Sequence, residues 1–128
     1  MMKPIFVLLV LIAGLVSNPI HAAVTEDDFK VKTTANLVNL CRASPSDPQY
    51  REAIHFCHGY LVGAFHYNRV EAPDMLCIPK PHPTRNQAID QFIAWTQKHP
   101  EYRNELPVET EFRFLLETWP CKADMQKK

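Results

Sequence analysis

The residues whose types could do chemistry are Cys57 and His58, a thiol beside an imidazole, the pair that cysteine hydrolases use as nucleophile and base. Neighbours in a helix point about 100° apart, so these two cannot share a proton there. His55 and His58 stand one turn apart and have the spacing of a metal-binding or pH-sensing pair, but on a polar helix face they read as solvated histidines. Glu109, Glu111 and Glu117, with Arg113 among them, read as the charged exterior of a helix. Tyr60 and Trp95 have the character of binding anchors, yet their helical spacing assigns them to the core or its edge. There is no phosphate loop, catalytic triad or paired-carboxylate pattern. The expectation is a binding or structural protein rather than an enzyme, with no catalytic residue, no metal site and no cofactor.

Four cysteines remain: Cys41, Cys57, Cys77 and Cys121. Whether they are ligands or crosslinks depends on the compartment. The chain opens with Lys3, an apolar run from Ile5 to Val16 and a Pro19-Ile20-His21-Ala22-Ala23 tract, which reads as a secretory signal peptide over 1–22. Its apolar run of about 12 residues is short against the roughly 20 needed to span a bilayer. The expected mature domain, 23–128, then carries all four cysteines into an oxidising space, where an even count reads as two disulfides. Zinc is the competing reading, and no Cys-x-x-Cys pair supports it. Loss of Lys3 with the leader leaves 13 basic against 14 acidic residues. That balance argues against a nucleic-acid partner, and no later stretch is apolar enough to span a membrane.

The elements that must position these cysteines are helical. Thr33 or Thr34 caps a short helix with Leu37, Leu40 and Cys41 inward. Asp47-Pro48 opens a second, running to Asn68 or Arg69, on which Ala53, Ile54, Phe56, Cys57, Tyr60, Leu61, Ala64, Phe65 and Tyr67 form one broad buried arc. Gly59 and Gly63 weaken that helix, and the expected reason is close approach of a second backbone. Pro73, Pro79, Pro81 and Pro83 exclude regular structure from the connector that follows. Thr84 with Gln87 forms a capping box for a third helix, stopped by Pro100. Pro107 opens a fourth, with Val108, Phe112, Leu115, Leu116 and Trp119 inward, and Pro120-Cys121 ends it. With no strand-type alternation the fold class is all-α: a small bundle of about four helices stapled by two disulfides. If helices three and four form an antiparallel hairpin, Cys77 before one meets Cys121 after the other. The short link Arg42–Asp47 likewise brings Cys41 beside Cys57.

The blocks Thr33–Cys41, Phe56-Cys57-His58-Gly59-Tyr60-Leu61-Val62-Gly63, Leu76-Cys77-Ile78-Pro79, Lys98-His99-Pro100-Glu101 and Trp119-Pro120-Cys121 occur in an order that resembles the Rap/Tai family of periplasmic immunity proteins. The Cys-x-Gly-Tyr-x-x-Gly block with the terminal Pro-Cys is its specific part, which makes Gly59, Tyr60, Gly63, Pro79, Pro100 and Pro120 its structural motif residues. The resemblance implies a protein that binds and occludes a cell-wall (peptidoglycan) amidase delivered by type VI secretion, and that self-associates as a homodimer. No toxin-contacting residue sits in a shared motif. By exposure, the loops Val70–Met75, Lys80–Pro83 and Glu101–Glu105 are the expected carriers of recognition. The alternative reading is a periplasmic acid-stress chaperone resembling the Hde proteins, which are also small, exported, helical and disulfide-bonded.

Overall fold

The computed structural model describes residues 21–122. The expected signal peptide therefore lies, apart from His21 and Ala22, outside the described residues. Four α-helices occur among them: α1 Thr34–Cys41, α2 Tyr50–Glu71, α3 Arg85–Lys98 and α4 Pro107–Thr118. Short 3-10 turns at Asp28–Lys30 and Pro100–Tyr102 precede α1 and join α3 to α4. The described residues contain no strand, only an isolated antiparallel bridge between Leu76 and Pro120.

Local chemistry explains where the helices begin. The Thr33 hydroxyl accepts from the Asn36 amide, and the Asn36 side chain accepts from the Thr33 N–H. Thr84 and Gln87 make the same reciprocal pair at α3, so the first orphan donors of both helices are satisfied. The remaining N-terminal donors of α1 reach across the molecule: Thr34 N donates to the Glu105 carbonyl at 2.8 Å and Ala35 N to Arg103 O at 2.9 Å. The segment 103–105 thus caps α1 through its backbone, while the side chains of Arg103 and Asn104 stay exposed. Asp47 does not cap α2 directly. Gln49 holds that position, while the Asp47 carboxylate accepts from Gln49 N and from Val24 N, tying the start of the described chain to the α1–α2 link.

A second carboxylate, this one buried, fastens the same region. Asp28 accepts from the Thr25 N–H and hydroxyl, from Asn36 Nδ2 and from Asn39 Nδ2 at 2.7–3.1 Å. Burial alone would raise its pKa, but these donors outweigh burial and hold it below the ordinary aspartate value.

Both expected disulfides are present, Cys41–Cys57 and Cys77–Cys121, with Cα atoms 5.1 and 4.7 Å apart. They differ in what they hold. The first lies in the core between α1 and α2. The second ties the connector to the end of α4, reinforced by Cys77 N donating to Trp119 O and Cys121 N to Met75 O.

Helix α2 is the spine, and its buried row is Ala53, Cys57, Leu61, Ala64 and Asn68, narrower than the expected arc. Phe56 and Tyr67 are 36% and 58% exposed. The glycine expectation is overturned: a Cβ built on Gly59 or Gly63 meets nothing within 4 Å. On the wheel Gly59 lies nearly opposite the buried row and Gly63 about 120° from its centre, so both face away from it. Gly59→Ala and Gly63→Ala are therefore expected to stabilise the protein by up to about 1 kcal/mol each, read as an upward shift of the thermal midpoint. A midpoint lowered by either change would contradict their exposure.

Helix α4 is turned relative to expectation. Its buried face is Pro107, Thr110, Glu111, Phe114 and Leu115, whereas Val108, Phe112 and Leu116 are half-buried. Thr110 and Thr34 are both fully buried and share a 2.7 Å hydroxyl contact that joins α4 to α1. The assignment of Glu111 to a charged exterior is thereby corrected.

Candidate functional site

The cysteines offer no reactive site: all four are consumed in the two disulfides. The thiol–imidazole chemistry considered for Cys57 and His58 is therefore unavailable. Tyr60 is half-buried, and its phenol pKa is raised mainly by burial, with nearby Glu111 adding to the effect. Pro79 and Pro120 flank the second disulfide, Pro100 opens the 3-10 turn after α3, and Gly59 and Gly63 lie on the outer side of α2. The structure distributes the motif residues as scaffold and does not gather them into one site.

A cavity of about 320 Å³ does gather residues from α2, α3, α4 and the connector. Its apolar walls include Leu61 and Phe65 from α2, Phe92 from α3, and Phe114 and Trp119 from the α4 end of the chain. The aromatic part is rigid: Phe92 meets Phe114 edge-on at 5.6 Å, and Phe114 meets Trp119 at 5.7 Å. Into this apolar setting α4 places Glu111, which is 4% exposed and whose Oε2 has no hydrogen-bond partner. Burial pushes its carboxyl up to about 9, so the group is a neutral acid at pH 7.

The rim has the opposite character. His66 and Arg69 rise from α2, and His82 and Arg85 from the connector and the start of α3. Arg69 sits 5.9 Å over the Phe65 ring. Arg85 lies close enough to His58 that, after burial, its charge and that of His55 further lower the His58 pKa. Among the described residues none of the four rim side chains has a carboxylate within salt-bridge distance.

A second, half-buried arrangement lies at the C-terminal end of α3. His99 stacks on Trp95 at 4.0 Å, Tyr102 stacks on the same indole at 5.7 Å, and Arg113 lies 4.9 Å over Tyr102 while making a paired contact with the Glu105 carboxylate. This stack stiffens the turn 100–105 against α3 and α4. Of the other loops expected to carry recognition, Val70 and Met75 are exposed, and 80–82 are exposed beside the cavity mouth.

Sequence reasoning missed the cavity because its decisive residue is a glutamate, a type that composition assigns to solvent. The signal that could have found it is the row Pro107, Thr110, Glu111, Phe114, Leu115, which runs at the i, i+3, i+4 spacing of a buried face.

Fold and site together define a small helical protein, crosslinked twice, with an apolar cavity and no free thiol. Residues 33–121 match the family model of the Rap1a immunity proteins, and the chain belongs to that family. Its members answer a secreted effector by binding it, so a partner protein is part of this chain's function. No curated protein and no solved structure matches the chain. No helix among the described residues is long and apolar enough to cross a membrane.

Proposed function

We propose that this chain is a periplasmic immunity protein that binds and occludes a peptidoglycan amidase delivered by type VI secretion, as a stoichiometric partner with no catalytic residue of its own. Membership of the Rap1a immunity proteins carries the reading. The leader-like 1–22 segment and the two disulfides support export, with 23–128 as the working domain. Pairing of all four cysteines removes the thiol that a cysteine hydrolase would need.

The physical logic is preorganisation. An inhibitor that must hold a hydrolase closed binds best when its surface is ordered beforehand. Here the disulfides, the anchored 103–105 segment and the stack on Trp95 restrain the loops between helices. Covering a cleft needs no particular imidazole, so His55→Ala, His58→Ala and His66→Ala should each retain protection. Co-expression in the periplasm with a peptidoglycan amidase effector sought among the reading frames flanking this gene tests the reading: cells survive with the wild type and with each histidine variant. Lysis despite normal accumulation of the wild-type protein would refute it.

A further inference from the structure

The cavity between α2, α3 and α4 carries three independent marks of a ligand site. It is walled by aromatic and aliphatic side chains and has the volume of roughly ten waters at about 30 Å³ each. Glu111, 96% removed from solvent, lines the cavity, and its enclosed Oε2 has no hydrogen-bond partner. At its mouth Arg69, Arg85, His66 and His82 stand without carboxylate partners among the described residues. Native proteins satisfy buried polar groups, and an orphan in a cavity wall marks where a ligand atom belongs.

We propose that this cavity binds a small organic carboxylate: an apolar body about the size of one aromatic ring, a neutral hydrogen-bonding group at its inner tip, and a carboxylate at its outer end. The ring packs against Phe92, Phe114 and Trp119. The tip, a hydroxyl or an amide, exchanges a hydrogen bond with Glu111. The outer carboxylate pairs with Arg69 and Arg85, whose guanidinium groups suit a two-oxygen anion. An amine ligand would seem the natural partner for a glutamate, but it would have to pass four basic side chains to reach one. The rim chooses the sign of the ligand and Glu111 chooses its tip. The site does not depend on effector binding and stands or falls separately from it.

The probe is 3-(4-hydroxyphenyl)propionate, a phenol with a carboxylate on a two-carbon arm and about a dozen non-hydrogen atoms, a size for which millimolar affinity is expected. It is compared with 3-phenylpropionate, which lacks the tip, and with tyramine, which reverses the charge. The isotopically labelled, disulfide-bonded protein is titrated with each at fixed pH and ionic strength, following backbone amides and the Trp119 indole by NMR. The hydroxy acid should give saturable shifts confined to Ala88–Phe92, Phe114–Leu115 and Trp119, bind several-fold tighter than phenylpropionate, and leave tyramine without a saturable response. Arg69→Gln with Arg85→Gln should weaken the hydroxy acid about tenfold, since a charge-assisted pair carries that order of affinity. Glu111→Leu should abolish the preference for the hydroxyl while retaining phenylpropionate binding. Shifts outside the cavity only, tighter binding of tyramine, or unchanged affinity in the folded double arginine variant would each overturn the proposal.

Discussion

Glu111→Gln should raise stability by somewhat less than about 1 kcal/mol at pH 5 and by about 5 kcal/mol at pH 8. In the folded protein burial holds the Glu111 carboxyl at about 9, while in the unfolded chain it ionises near the ordinary value of 4.5. Between those two pH values the native state retains a proton that the unfolded state has lost. Native stability therefore falls as pH rises, by about 1.4 kcal/mol per pH unit for one such group. The contribution is fully present below about 4.5 and lost as pH climbs through the folded value. Glutamine cannot ionise, so the slope attributable to this position disappears. The nearby titrating groups act elsewhere or in the other sense: the Tyr60 phenol is raised above its already alkaline value, and lowering of the His58 pKa makes stability increase with pH around neutrality. The difference between wild type and variant isolates Glu111 from both. Chemical denaturation at pH 5, 6, 7 and 8 measures it, and parallel wild-type and variant curves would show that the carboxyl is solvated.

Removing the Cys77–Cys121 bridge as a double alanine variant should cost about 4 kcal/mol, and removing Cys41–Cys57 about 3 kcal/mol, on the loop-entropy account for separations of 44 and 16 residues. Either loss is a large fraction of the stability of a domain this size. The two variants should differ in character. Without Cys77–Cys121 the connector and the end of α4 are held by two backbone hydrogen bonds and the packing of Leu76 and Ile78, so Ile78 and Trp119 lose the covalent tie that fixes their place in the cavity wall. Trp119 emission should then shift to longer wavelength before global unfolding. Without Cys41–Cys57 two buried sulfur positions are emptied between α1 and α2, and unfolding should remain a single transition at lower temperature. Equal melting curves for wild type and either variant would contradict the part assigned to that bridge.

What the sequence disclosed followed from chemistry that is local. The Thr84–Gln87 box needs only three residues of spacing and marks the start of α3, while at α1 the sequence leaves Thr33 and Thr34 as alternatives and the structure selects Thr33, paired with Asn36. The disulfide pairs followed because chain order and a helical hairpin leave few ways to bring four cysteines together. Long-range facts were not legible. Nothing local says that Thr34 will share a hydroxyl contact with Thr110, or that the 103–105 carbonyls will cap α1. The face of α4 was misjudged because Phe112 and Leu116 outweighed Thr110 and Glu111 by hydrophobicity. Tertiary packing, not the side-chain scale, decided the rotation. Gly59 and Gly63 were credited with a packing role because glycine inside a helix invites one, although the buried row beside them places both outward. The rim cations and Glu111 come from separate segments, so their meeting at one cavity was visible only in three dimensions.

The proposal that this chain neutralises a secreted hydrolase by binding it is tested most directly by titrating the purified protein into the proposed kind of partner, a peptidoglycan amidase effector, while following cleavage of peptidoglycan stems. The account predicts a linear fall in activity that ends at one equivalent, with recovery of a complex of fixed composition by size exclusion. Full inhibition at a small fraction of an equivalent, which requires turnover, or undiminished cleavage with excess protein would contradict it.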